Sequence, residues 1–72
     1  MSKYLSADQN WTDGNTVYWF EIDGAEYGIV ESGPETYPVD HNSRPLRNDA
    51  LATRVCAECI VTDAMRAQAS GL

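Results

Sequence analysis

Residues 18 to 30 read YWFEIDGAEYGIV, two apolar-rich runs separated by Asp23-Gly24. Asp-Gly supplies the two positive-φ positions of a type I′ turn, whose twist matches the strands it joins, so a β-hairpin is predicted over about residues 16–31. A two-residue loop leaves no choice of register. Ile22 faces Ala25, Glu21 faces Glu26, Phe20 faces Tyr27, Trp19 faces Gly28, Tyr18 faces Ile29 and Val17 faces Val30. Alternation then assigns Tyr18, Phe20, Ile22, Ala25, Tyr27 and Ile29 to one face, the expected core side. The other face receives Val17, Trp19, Glu21, Glu26, Gly28 and Val30. It sets Trp19 over bare glycine backbone and two glutamates directly opposite each other near the hairpin tip.

Downstream, SGPET has the chemistry of a turn, and TYPV is predicted as a further short strand. Pro38 cannot donate to a ladder and confines that strand to an edge. Upstream, KYLSA is predicted as another strand, leading through WTDGN into Thr16, and DHNSRPLRN (residues 40–48) is a connecting loop. The remainder is predicted as one C-terminal helix over about residues 49–69. Asn48 caps it, Asp49 suits the positive end of its dipole, alanines favour it and Gly71 stops it. On a 3.6 period Leu51, Ala52, Val55, Cys56, Cys59 and Ile60 form one stripe, and Ala57, Val61, Ala64 and Met65 fall on a second. The sheet covers one stripe. The second is left for another copy, another protein or the N-terminal segment. The fold class is therefore α+β: a small antiparallel sheet of three or four strands packed against one helix, in a single domain over residues 1–72.

A chain of 72 residues buries only about 60% of its unfolded surface and obtains roughly 3–5 kcal/mol from its core. Its 43% hydrophobic content still places it among globular chains. No apolar run approaches the roughly 18 residues of a membrane span, and the start MSKYLSADQ lacks a signal peptide's hydrophobic region. A cytoplasmic location follows as the expectation, with Cys56 and Cys59 reduced. Charge is uneven. Residues 1–40 carry eight acids against Lys3 alone, a net of −7, whereas residues 41–72 carry three acids against four arginines, a net of +1. Such a field repels nucleic acid and membranes and steers a basic partner inward, although it also serves solubility.

No catalytic, metal or cofactor motif withstands inspection. CAEC puts two thiols on one helix face, enough for half a zinc site or a redox pair. Zinc needs four ligands, and the chain offers one further His, at position 41. A thioredoxin-like centre needs its reactive Cys at a helix N-terminus, and Cys56 falls two turns inside, so both thiols are read as small core hydrophobes. Asp40, His41 and Ser43 supply the residue types of a triad without a nucleophile elbow to converge them. Glu21 and Glu26 have a glycosidase-like pairing, yet an exposed hairpin tip has little room for a substrate cleft. Arg44, Arg47, Arg54 and Arg66 are too few, against the acidic half, for direct nucleic-acid binding. They are read as partners for acids within the fold or on another protein.

Like charges directly opposite on neighbouring strands are unfavourable by a few tenths of a kcal/mol up to about 1. A sequence optimised only for folding would more readily put Lys or Thr at one of the two positions; the alternative is a solvated hairpin end whose local repulsion is weakened by salt. Glu21, Asp23 and Glu26 form a carboxylate cluster on a rigid ribbon beside Trp19, the combination of fixed charge and aromatic anchor found at binding hot spots. Asp13, Glu31 and Glu35 extend the same field. The segment WFEIDGAEYGIVESGPE, with the chain's size and acidity, resembles in kind the small phage-encoded inhibitors of bacterial defence, the anti-CRISPR and anti-restriction proteins. That resemblance implies a non-enzymatic inhibitor acting in a host cell's cytoplasm, without cofactor or metal. Its partner is a basic surface of a nucleic-acid-handling complex, met by carboxylates that stand in for phosphates. Trp19, Glu21, Asp23, Glu26, Glu31 and Glu35 are the candidate partner-binding residues. A second reading is a non-inhibitory interaction module, a homodimer joined through Val61 and Met65. A third is a metal or redox protein using Cys56 and Cys59.

Overall fold

The structure, a computed structural model, describes residues 2–9 and 15–69. Asp13, the Trp11–Gly14 part of the connection and the Gly71 stop lie outside the described residues. Four strands, β1 (Ser2–Asp8), β2 (Thr16–Ile22), β3 (Ala25–Ser32) and β4 (Glu35–Asp40), form an antiparallel meander in the order β1-β2-β3-β4. Two helices follow, α1 (Asp49–Glu58) and α2 (Asp63–Ala69). The fold is α+β.

The central hairpin has the register its turn dictates, from Ile22↔Ala25 through Glu21↔Glu26 and Trp19↔Gly28 to Val17↔Val30. Both turn residues take positive φ, 51° at Asp23 and 83° at Gly24, as a type I′ turn requires. A second two-residue turn joins β3 to β4, with Ser32 paired to Glu35 and φ of 61° at Gly33. β4 is an edge strand, consistent with Pro38. β1 is the other edge, and between Tyr4 and Ser6 its register slips by one residue against β2, leaving Leu5 in a β-bulge.

The helices cover the face carrying Tyr18, Phe20, Ile22 and Ile29, which form the main core with Val55 and Cys59. Tyr4 joins this core with its ring tilted against Phe20 at a centroid distance of 5.4 Å. Ala25, expected on this side, lies at the turn and is exposed.

The single helix predicted over residues 49–69 is two helices. α1 opens as the sequence implies, with the Asn48 side chain accepting from the Leu51 N–H at 3.1 Å. It ends at Cys59, whose N–H still reaches Val55 O but whose backbone (φ −97°, ψ 80°) has left the helix. Ile60, Val61 and Thr62 are a β-branched run, disfavoured in helices by restricted χ1. Thr62 then starts α2 afresh: its Oγ1 accepts from the Met65 N–H at 3.2 Å and its carbonyl from the Arg66 N–H at 3.1 Å. The break also corrects the two-stripe reading of this region. It turns Val61 and Met65 back onto the main core, while Cys56 and Ile60, assigned to the first stripe, are exposed. Among the described residues, no helix is long and apolar enough to cross a membrane.

Candidate functional site

The face of the sheet away from the helices has an apolar centre of its own. Val17, Val30 and Val39 are fully buried there, with Trp19 and Tyr37 partly buried against them. The hairpin register supplies the first two valines; the Ser32–Glu35 turn supplies the rest, because it aligns Tyr37 with Val30 and Val39 with Gly28. Sequence reasoning found Trp19 and missed Tyr37. The signal was present in TYPV, whose alternation puts Tyr37 and Val39 on one face once the β3–β4 register is known.

Glu21 and Glu26 flank this centre at the tip of the hairpin, paired as predicted, Glu21 half-buried and Glu26 exposed. Neither carboxylate makes an ion pair or side-chain hydrogen bond among the described residues. Lys3 lies across from Glu21 on β1, so the row reads cation, acid, acid. Glu35 shares the face but sits at the far end, six residues from Glu26 along β3 by way of its partner Ser32, or roughly 20 Å.

The other two candidates are turned towards the helices. Asp23 meets the Arg54 guanidinium at 2.6 Å, and the same guanidinium holds Glu58 at 2.6 Å. Arg54 thereby keeps both carboxyls below their usual range. Glu31 meets Arg66 at 2.9 Å, and Arg66 also contacts Asp63 at 2.9 Å. Burial, reinforced by the Glu31 carboxylate, raises the Tyr18 hydroxyl above its ordinary value. The six candidates thus divide: Trp19, Glu21, Glu26 and Glu35 on the helix-free face, Asp23 and Glu31 tied to arginines on the helix side. Sequence reasoning anticipated arginines bound to acids within the fold but had no means of naming pairs 31 and 35 residues apart.

The remaining constellations are placed as follows. Cys59 is buried and its thiol is pushed up to about 11 by desolvation, the condition of a core side chain; Cys56 is exposed. Among the described residues, no three His, Cys, Asp or Glu side chains come together as a metal set. The Asp40 carboxylate accepts from the backbone N–H groups of Asn42 at 2.8 Å and Arg44 at 3.1 Å. These bonds, that from Arg44 foremost, lower its pKa and direct it to its own loop. An open depression of about 180 Å³ beside the helix break brings Cys56 and Cys59 near the Arg66–Glu31 pair. Another, of about 340 Å³ between β1 and α2, has no carboxylate, imidazole or thiol in its lining. Neither includes Glu21 or Glu26. What the helix-free face offers is a pair of carboxylates held by no arginine, with Lys3 across from one of them, Trp19 nearby and Tyr37 farther along the sheet. No family model matches the chain, and no match is found among curated proteins or solved structures.

Proposed function

We propose that the chain is a stoichiometric, non-enzymatic inhibitor that docks its helix-free sheet face on a basic surface of a nucleic-acid-handling complex. One observation carries this reading: the two helix arginines each hold two acids on their own side of the sheet, while Glu21 and Glu26 stand opposite each other without one. Carboxylates held in fixed positions by a two-residue turn are matched to a partner's Lys or Arg without reordering, which lowers the entropic cost of docking. Trp19 and Tyr37 supply the apolar contact that such charges need beside them. Asp23 and Glu31 contribute to the field from the far side, and Glu35 extends the footprint along β3. Binding of this kind needs neither turnover nor cofactor, and it places the protein in the compartment of its target, a host cytoplasm.

The test is affinity capture from a bacterial lysate at low and high salt, with the retained proteins identified by mass spectrometry. A nucleic-acid-binding complex should be retained at low salt, released at high salt, and lost with the Glu21→Lys, Glu26→Lys double variant while that variant keeps its far-UV spectrum. Equal retention by the double variant would remove these residues from the site.

A further inference from the structure

The two edges of the sheet are treated differently. β4 is covered by its own following loop: Leu46 N–H donates to Pro38 O at 3.2 Å, Asp40 N–H donates to Arg44 O at 2.9 Å, and Val39 bridges to Pro45. β1 pairs with β2 alone among the described residues, and its bulged Leu5 is 38% exposed. An uncovered edge is a template for another strand.

A bulge and charged side chains ordinarily blunt such an edge, but here they make it self-complementary. In a regular strand Lys3 and Asp8, an odd number of residues apart, would point to opposite faces. The bulge at Leu5 adds one residue, so Lys3 (across from Glu21) and Asp8 (across from Val17) share the helix-free face. It likewise puts Tyr4 and Ala7, across from Phe20 and Tyr18, together on the helix side. Residues opposite each other in an antiparallel pair must share a face. Two copies of β1 related by a two-fold axis between Leu5 and Ser6 satisfy this at the Lys3–Asp8 and Tyr4–Ala7 pairs on either side of the axis. Lys3 then meets Asp8 of the second copy twice over, Tyr4 meets Ala7, and the exposed leucines lie at the axis. We infer that the β1 edge is the interface of an isologous homodimer whose two sheets join into one of eight strands. Both Lys3 and Asp8 are exposed in the single chain, as such an interface requires.

Sedimentation equilibrium of the full chain should show a concentration-dependent rise from the 8.0 kDa monomer to twice that mass. Lys3→Asp alone and Asp8→Lys alone should each raise the dimer dissociation constant about tenfold or more, because each reversal sets like charges opposite at both symmetric positions. Mixing the two variants should restore dimer, since each chain then presents the charge the other needs. A wild-type monomer at the highest concentration would overturn the inference. A dimer indifferent to both reversals, or variants that stay apart on mixing, would do the same. Should a reversal impair folding, the milder Lys3→Gln and Asp8→Asn variants make the same test: each should weaken the dimer, and a dimer unchanged by both would overturn the inference.

Discussion

A Cβ built on Gly28 would lie 2.8 Å from Val17 Cγ2, 2.9 Å from Trp19 Cζ3 and 2.9 Å from Val39 Cγ2. These separations are too short for carbon atoms, so the glycine is there to let three side chains close over the strand. Gly28→Ala should therefore cost about 1–3 kcal/mol in a urea unfolding titration and, in a Trp11→Phe background that leaves one indole, shift the Trp19 emission, because that ring is one of the groups that must move. An alanine variant with unchanged stability and spectrum would show that the valines and the ring yield freely. The contact was legible in the sequence: once Asp23-Gly24 fixes the turn, Gly28 is the only residue of β3 that can face Trp19. The bond from Asp23 to Arg54 was not, because it joins residues 31 apart and exists only after α1 has docked.

At the scale of elements, the hairpin and the helical region differ in how their sequences encode them. A two-residue turn determines every pair of the hairpin by counting, so the register was readable in full. The helix break depended on competition between neighbouring signals. Alanine-rich flanks favour continuation, while Ile60-Val61-Thr62 and the capping sequence Thr62-Asp63 favour a stop and a restart. The tertiary gain of seating Val61 and Met65 on the core tips the balance, and that gain is invisible until the sheet is in place. Thr62→Ala removes the side-chain cap of a seven-residue helix and should destabilise the fold by about 0.5–2 kcal/mol, with a loss of helical ellipticity before global unfolding. A variant of unchanged stability would mean that packing of Met65 alone holds α2.

For the whole molecule, the charge excess of residues 1–40 was legible and its division between two faces was not. Arg54 binds the hairpin tip through Asp23, and Arg66 binds near the other end of β3 through Glu31. The helical layer is thus clipped to the sheet at two distant points. Asp23 and Glu58 have folded-state pKa values below their unfolded ones because of Arg54. Their contribution is present above the ordinary carboxylate range and is lost as pH falls through the lowered values. Thermal melts of wild type and Arg54→Gln should accordingly differ at neutral pH and converge in acid, as pH falls through the lowered values and both carboxyls take up protons. The difference at neutral pH will be small because the pairs are largely exposed, with the Asp23 side chain 68% accessible. A gap that persists unchanged into acid would assign it to lost packing of the arginine stem instead.

The loop folded back along β4 sets a limit on growth. A sheet with two receptive borders can recruit strands from either side and lengthen into a filament, as cross-β assemblies do. With Leu46 and Arg44 already bonded to Pro38 and Asp40, the Pro38–Asp40 half of one border is occupied before any second molecule arrives. In the inferred dimer, addition across the strands happens once, at β1, and both outer borders carry the folded-back loop. Deleting Pro45 and Leu46 should therefore expose this stretch of β4 to pairing, read in sedimentation as species heavier than a dimer.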